Sequence, residues 1–134
     1  TILSSNNKIK KFSKSLNFHT LLVRPNFGCS TKKIYSGVKN YTKPVFNSPK
    51  QNMFSLRFLL KQENALEKIA FLKYPKLKML KSFLENLNKP LFVRMTGSGS
   101  ILIAYYQKKQ DCDLAKVQFK RKFKDYWCIT SKTI

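Results

Sequence analysis

Two apolar runs, Leu91 to Met95 and Ile101 to Tyr106, stand on either side of Thr96-Gly97-Ser98-Gly99-Ser100. Short apolar runs separated by a glycine-containing turn predict two adjacent antiparallel strands. The turn offers several backbone N–H groups beside little side-chain bulk, and such concave backbone can hold an anion. A Gly-x-Gly pair with no helix opening behind it is neither a Walker loop nor a dinucleotide fingerprint. A plain hairpin turn therefore stands as the alternative reading of these residues.

The rest of the chain supplies what such a hairpin needs to pack against. His19 to Arg24, with Leu21, Leu22 and Val23, reads as a strand stopped by Pro25. Ser30 caps a helix that carries Ile34, Tyr35 and Val38 and is expected to end near Asn40. Pro44, Asn47 and Pro49 break any period from Tyr41 to Lys50, which predicts a surface connection. Phe54, Phe58, Leu59 and Gln62, followed by Leu66, Ile69, Ala70 and Lys73, mark two short helices or one bent helix, with Asn64 as a cap between them. Tyr74-Pro75 sets the next boundary, because the residue before a proline is pushed out of helical geometry while proline suits a first turn. Leu77, Leu80, Phe83, Leu84 and Leu87 then mark an amphipathic helix. A last helix is expected from about Asp111, with Cys112, Ala115, Phe119 and Phe123 on one face, followed by a strand from Tyr126 to Thr130. The order strand, helices, strand, strand, helix, strand predicts an α+β sandwich with helices on one face of an antiparallel sheet.

A length of 134 residues, 43% of them hydrophobic, suits one core. Residues 1–20 are expected to be a ragged basic N-terminal segment and 21–134 a single domain. No run of about 18 apolar residues is present, so no membrane span is predicted. Thr1 to Ser15 lacks the apolar stretch of a secretory signal, which makes a cytoplasmic location the expectation. Cys29, Cys112 and Cys128 are odd in number and form no C-x-x-C pair, which argues against a disulfide framework and a zinc site.

The formal charge of +21 has two readings. A strongly basic surface attracts polyanions, and Phe119 to Phe123 and Tyr126-Trp127 interleave aromatic with basic residues as an RNA-binding module would. Yet only Arg24, Arg57, Arg94 and Arg121 are arginines among 27 basic residues, and phosphate recognition favours arginine. An excess of Lys and Asn is also what an AT-rich coding sequence produces on a solvated surface. Phe119 and Phe123, four apart on one helix face, suit a core better than a stacking platform. As for acid–base chemistry, none of Glu63, Glu67, Glu85, Asp111, Asp113 and Asp125 is expected beside the glycine turn, and His19 is a lone histidine without a partner.

The wider string from Leu91 to Ala104, LFVRMTGSGSILIA, resembles the third motif of the galactokinase, homoserine kinase, mevalonate kinase and phosphomevalonate kinase (GHMP) superfamily. Two other pieces are similar to the 4-diphosphocytidyl-2-C-methylerythritol kinase family within it. Leu22 to Pro25 followed by Ser30, Thr31 and Tyr35 looks like that family's proline loop and Ser-Thr helix start, and Asn64 to Glu67 followed by Tyr74-Pro75 looks like its Asn-Asp-Leu-Glu segment and helix entry. Ala65 stands where the family usually has an acid. The resemblance implies a ferredoxin-like GHMP kinase C-terminal domain that forms one wall of a phosphotransfer cleft. Thr31, Thr96, Gly97, Ser98, Gly99 and Ser100 would then lie near substrate and phosphates. It also implies ATP and Mg2+ as cofactors of the full enzyme, neither bound by this chain alone, and 4-diphosphocytidyl-2-C-methyl-D-erythritol as the substrate phosphorylated at its 2-hydroxyl on the non-mevalonate route to isoprenoids. The family's Pro-x-x-x-Gly-Leu-Gly-Gly-Gly-Ser loop and the aspartate base after it do not occur in these 134 residues. The resemblance therefore implies inactivity without an N-terminal half supplied in cis or in trans.

Overall fold

The structure, a computed structural model, describes residues 2–5, 8–11, 16–40 and 50–133. The expected connection from Tyr41 lies outside these, apart from Lys50 itself. Strands β1 (Ile2–Ser5) and β2 (Lys8–Lys11) form a separate antiparallel pair, inside the segment for which the sequence shows no apolar period. Then come β3 (His19–Arg24), α1 (Thr31–Ser36), a single 3-10 turn at Gln51–Met53, α2 (Leu56–Leu60), α3 (Ala65–Lys73) and α4 (Pro75–Glu85). The chain continues with β4 (Phe92–Met95), β5 (Leu102–Tyr106), α5 (Lys109–Lys122) and β6 (Trp127–Lys132).

The second sheet has the order β4-β5-β3-β6, antiparallel throughout. Counted from β3, this is a β-α-β-β-α-β arrangement of ferredoxin-like type, as expected. Alternation along the strands separates two faces. Leu21, Val23, Val93, Met95, Leu102, Ala104 and Cys128 point into the core, none more than 5% exposed. Helices α4 and α5 cover that face, α3 packs on α4, and α1 packs on α3. From α4 come Leu77, Leu80 and Leu84, and from α5 come Cys112, Ala115 and Phe119, all buried at helical spacing. The ring of Phe119 stacks on Phe123 at 5.0 Å and Phe123 on Tyr126 at 4.9 Å, so these aromatics close the core and offer no platform for bases.

Element ends depart from the sequence expectation where local hydrogen bonds intervene. The first helix stops at Ser36, short of Asn40, because the Gly37 N–H turns back to the Ile34 carbonyl at 3.1 Å and the Val38 N–H to that of Tyr35 at 3.0 Å. Helix α5 begins at Lys109, two residues earlier than expected, and β6 runs on to Lys132 because its register against β3 pairs Lys132 with His19. By contrast, Ser55 and Asn64 cap α2 and α3 through their side chains, and Pro75 opens α4, as the residue types imply.

All three cysteines are free thiols. Burial pushes the Cys112 thiol up to about 11, with nearby Asp113 adding to the shift, so at pH 8 it is both protonated and enclosed. A thiol reagent at pH 8 should therefore leave Cys112 and Cys128 unmodified in the folded protein and label both after denaturation. Labelling of native Cys112 at the rate of a free cysteine would contradict this packing.

Candidate functional site

The glycine-rich turn forms the bend between β4 and β5. Inside it the Thr96 N–H donates to the Ile101 carbonyl and the Gly99 N–H to the Thr96 carbonyl, both at 2.9 Å. The N–H groups of Gly97, Ser98 and Ser100 have no partner among the described residues. Gly97 has φ +49° and Gly99 has φ +91°, a region that side-chain-bearing residues rarely adopt. At Gly99 there is also no room: a Cβ would lie 3.1 Å from Met95 Sδ and 3.2 Å from Cys29 Sγ.

Two helix starts meet this bend. Ser30 caps α1, its hydroxyl accepting from the Lys33 N–H at 3.3 Å, while its own N–H donates to the Tyr74 hydroxyl at 3.0 Å. Next to it the hydroxyls of Thr31 and Ser98 hydrogen-bond at 3.1 Å, so β3's connection to α1 touches the bend 67 positions later in the chain. From the other side comes the α3 cap. Asn64 Oδ1 accepts from the Leu66 N–H at 3.0 Å, and its Nδ2 donates to the carbonyls of Met95 at 2.9 Å and Gly97 at 2.7 Å. One asparagine thus ends a helix and fixes the bend.

Thr31 and Gly97 are exposed, Thr96, Ser98 and Gly99 half-buried, and Ser100 buried. All six residues singled out in the sequence therefore converge, five through the chain and Thr31 through its contact with Ser98. Sequence reasoning missed Glu67. Its carboxylate accepts the Met95 N–H at 3.0 Å and is paired with Lys81 of α4, which also lies 3.7 Å from Glu85. One carboxylate does therefore lie beside the bend, contrary to expectation. Both of its oxygens are engaged, so it acts as a fixed acceptor and not as a free base. The signal available in the sequence was its place three residues after Asn64, one helical turn along the same face.

A cavity of about 300 Å3 opens between α1 and α3, lined by Tyr35, Val38, Asn40, Ala65, Leu66 and Ile69, with Lys39 at its side. Ala65, where the family resemblance expects an acid, is part of this wall. His19 lies at the far end of β3, paired with Tyr106 and Lys132, away from the bend. Among the described residues no group of three or more His, Cys, Asp and Glu could hold a metal ion. What remains is a backbone-and-hydroxyl surface suited to positioning an anionic group.

Two substitutions test this construction. Glu67→Ala leaves the Met95 N–H and the Lys81 ammonium without their acceptor and should destabilise by roughly 3 kcal/mol, read as a lowered urea midpoint. Gly99→Ala should cost about 1–3 kcal/mol from the positive φ and the crowding by Met95 and Cys29, whereas an unchanged midpoint would mean that the bend is not held as described.

The sequence pattern of the family described as "GHMP kinases C terminal" matches residues 44–125. A 4-diphosphocytidyl-2-C-methyl-D-erythritol kinase of Pelagibacter ubique (strain HTCC1062) is 54% identical over 133 residues, which is 99% of this chain and 47% of that protein. Proteins of the same name from Anaplasma phagocytophilum and Clostridium botulinum (strain Okra) are 24% and 29% identical, with 87% of this chain covered in each case and 40% and 42% of theirs. A crystal structure of 4-(cytidine 5'-diphospho)-2C-methyl-D-erythritol kinase superposes with a TM-score of 0.64 at 21% identity, over 91% of this chain and 45% of that one, which shows the shared fold. The chain spans about half the length of the curated relatives it matches. With the β4–β5 bend, the α1 and α3 starts and the sheet order all in place, this chain belongs to the GHMP kinase family and carries its C-terminal domain.

Proposed function

We propose that these residues serve as the carboxy-terminal half of a 4-diphosphocytidyl-2-C-methyl-D-erythritol kinase, which transfers the γ-phosphoryl group of ATP to the substrate's 2-hydroxyl. The observation that carries this reading is the identity of 54% over 133 residues to the Pelagibacter protein of that name. The bend adds a physical reason. Phosphoryl transfer depends on holding donor and acceptor in line and on stabilising spread-out negative charge more than on covalent chemistry. Free N–H groups at Gly97, Ser98 and Ser100, with the Ser98 and Thr31 hydroxyls beside them, suit the positioning part of that task.

In this reading Thr31, Thr96, Gly97, Ser98, Gly99 and Ser100 line the wall that faces the substrate and the phosphates. Gly97 and Gly99 let the backbone approach closely, and Asn64 and Glu67 keep the wall from shifting. Magnesium would supply charge neutralisation on the phosphates, but the described residues fit it poorly, since they include no ligand cluster, and none of them is assigned to it. The acid–base step likewise falls to groups outside this site, because Glu67 is fully engaged.

The reading is tested by joining this chain, in place of the matching half, to the N-terminal half of the Pelagibacter kinase. The chimera should phosphorylate 4-diphosphocytidyl-2-C-methyl-D-erythritol with ATP and Mg2+, while the 134 residues alone should give no product. A folded chimera without turnover, beside an active parent kinase, would overturn the assignment.

A further inference from the structure

The two edges of the main sheet are treated differently. On the β4 edge, Glu67 accepts the Met95 N–H and Asn64 donates to the Met95 carbonyl, so the outward backbone groups of Met95 are occupied. The β6 edge has no such cover: among the described residues β6 is laddered on one side only, to β3. An uncovered strand of six residues, about 20 Å long, is a template for one more strand unless charge or bulk blocks it.

The surroundings of this edge are chemically two-sided. Alternation sends Cys128, Thr130 and Lys132 toward α5, and Trp127, Ile129 and Ser131 toward the opposite face. On the α5 side, two adjoining cavities of about 670 and 410 Å3 share Asp113 and Thr130 and so form one groove along β6. Its wall carries Lys116, Lys120 and Arg121 of α5 and Lys124 just beyond it, while its one acid, Asp113, is paired with Lys109 at 2.7 Å. On the opposite face Trp127 and Ile129 are large apolar groups 40% and 39% exposed, with the Arg24 guanidinium of β3 5.6 Å from the centre of the Trp127 ring.

We propose that the β6 edge binds an extended acidic segment of a partner polypeptide as a fifth strand of the sheet. Backbone pairing to β6 would supply affinity, and the period-2 alternation of the incoming strand would supply specificity. Its acidic side chains would point toward Lys116, Lys120 and Lys124, and its apolar ones would cover Trp127 and Ile129. The match to a protein strand is better than to nucleic acid, because the groove is lined by no Phe, Tyr or Trp, and His19 at one end is its one ring on which a base could stack. Nothing in this surface involves the glycine-rich bend, so the inference stands whatever reaction the bend serves.

The test is binding of a fluorescent peptide of about seven alternating Glu and Val residues, long enough to pair with all of β6. Two control peptides carry backbone N-methyl groups on every second residue, one in each register, and a uridine oligonucleotide serves as a plain polyanion. Binding to the unmodified peptide is expected, with at least a tenfold loss for one of the two methylated registers and for the triple variant Lys116→Glu, Lys120→Glu, Lys124→Glu. Because Lys116 is half-buried and Lys120 Nζ donates to the Tyr126 carbonyl, the fold of that variant is checked by its circular dichroism, and the exposed single variant Lys124→Glu should show a smaller loss in the same direction. The proposal is overturned if the peptide does not bind, if both methylated peptides bind as well as the parent, or if the oligonucleotide binds as tightly as the peptide. Either of the last two outcomes would reduce the groove to unspecific attraction of negative charge.

Discussion

The carboxylate of Glu67 is the point on which the arrangement around the bend depends. It sits on the first turn of α3, yet its partners are the ammonium of Lys81 on α4 and the backbone of Met95 on β4. A half-enclosed ion pair of this sort adds little net stability, because both charges lose water. Its effect is on uniqueness: a single oxygen-rich group fixes two helices and a strand in one relative placement. Asn64, one helical turn earlier, does the same for the bend by accepting the helix N–H and donating to the carbonyls of Met95 at the end of β4 and of Gly97 in the bend. Moving either residue by one position along α3 would turn it away from β4 and free the edge.

That pairing also explains why the bend can be so poor in side chains. A turn with two glycines at positive φ has little of its own to hold it in one shape. Here the restraint comes from outside, from Asn64 on one side and from Thr31 and Cys29 on the other. Free backbone donors can then stay fixed without being consumed, a condition for positioning an anionic group at little cost in reorganisation.

The large positive charge has a more local meaning than its total suggests. Phe119 and Phe123, which could have paired with lysines as a base-stacking surface, instead close the core with Tyr126. Of the α5 lysines, Lys122 lies over the rings of Phe83 and Phe123, whereas Lys116 and Lys120 are gathered beside strand β6. On the other edge strand, β4, the side chains of Asn64 and Glu67 occupy the backbone groups of Met95, whereas β6 is laddered on one side only among the described residues.

Periodicity and punctuation in the sequence were enough to determine β3 through α4, the Asn64 cap, the Pro75 helix entry and the β4–β5 hairpin, because each follows from backbone preferences that act over a few residues. The string from Leu91 to Ala104 likewise pointed to the family, through its resemblance to a known motif and not through its spacing, which by itself also suits a plain hairpin turn. Where the sequence misled, at the ends of α1, α5 and β6, the deciding bonds were a turn-back onto Ile34 and a register imposed by β3. It also held no sign of the β1–β2 ladder, whose residues show no alternating apolar pattern. Only the tertiary structure decided that Glu67 faces β4, that Thr31 touches Ser98, and that side chains engage the sheet's β4 edge at Met95 while β6 ends the sheet on the other side. Those are contacts between positions 28 and 67 residues apart, and in the last case a neighbour relation among whole strands, which no local pattern encodes.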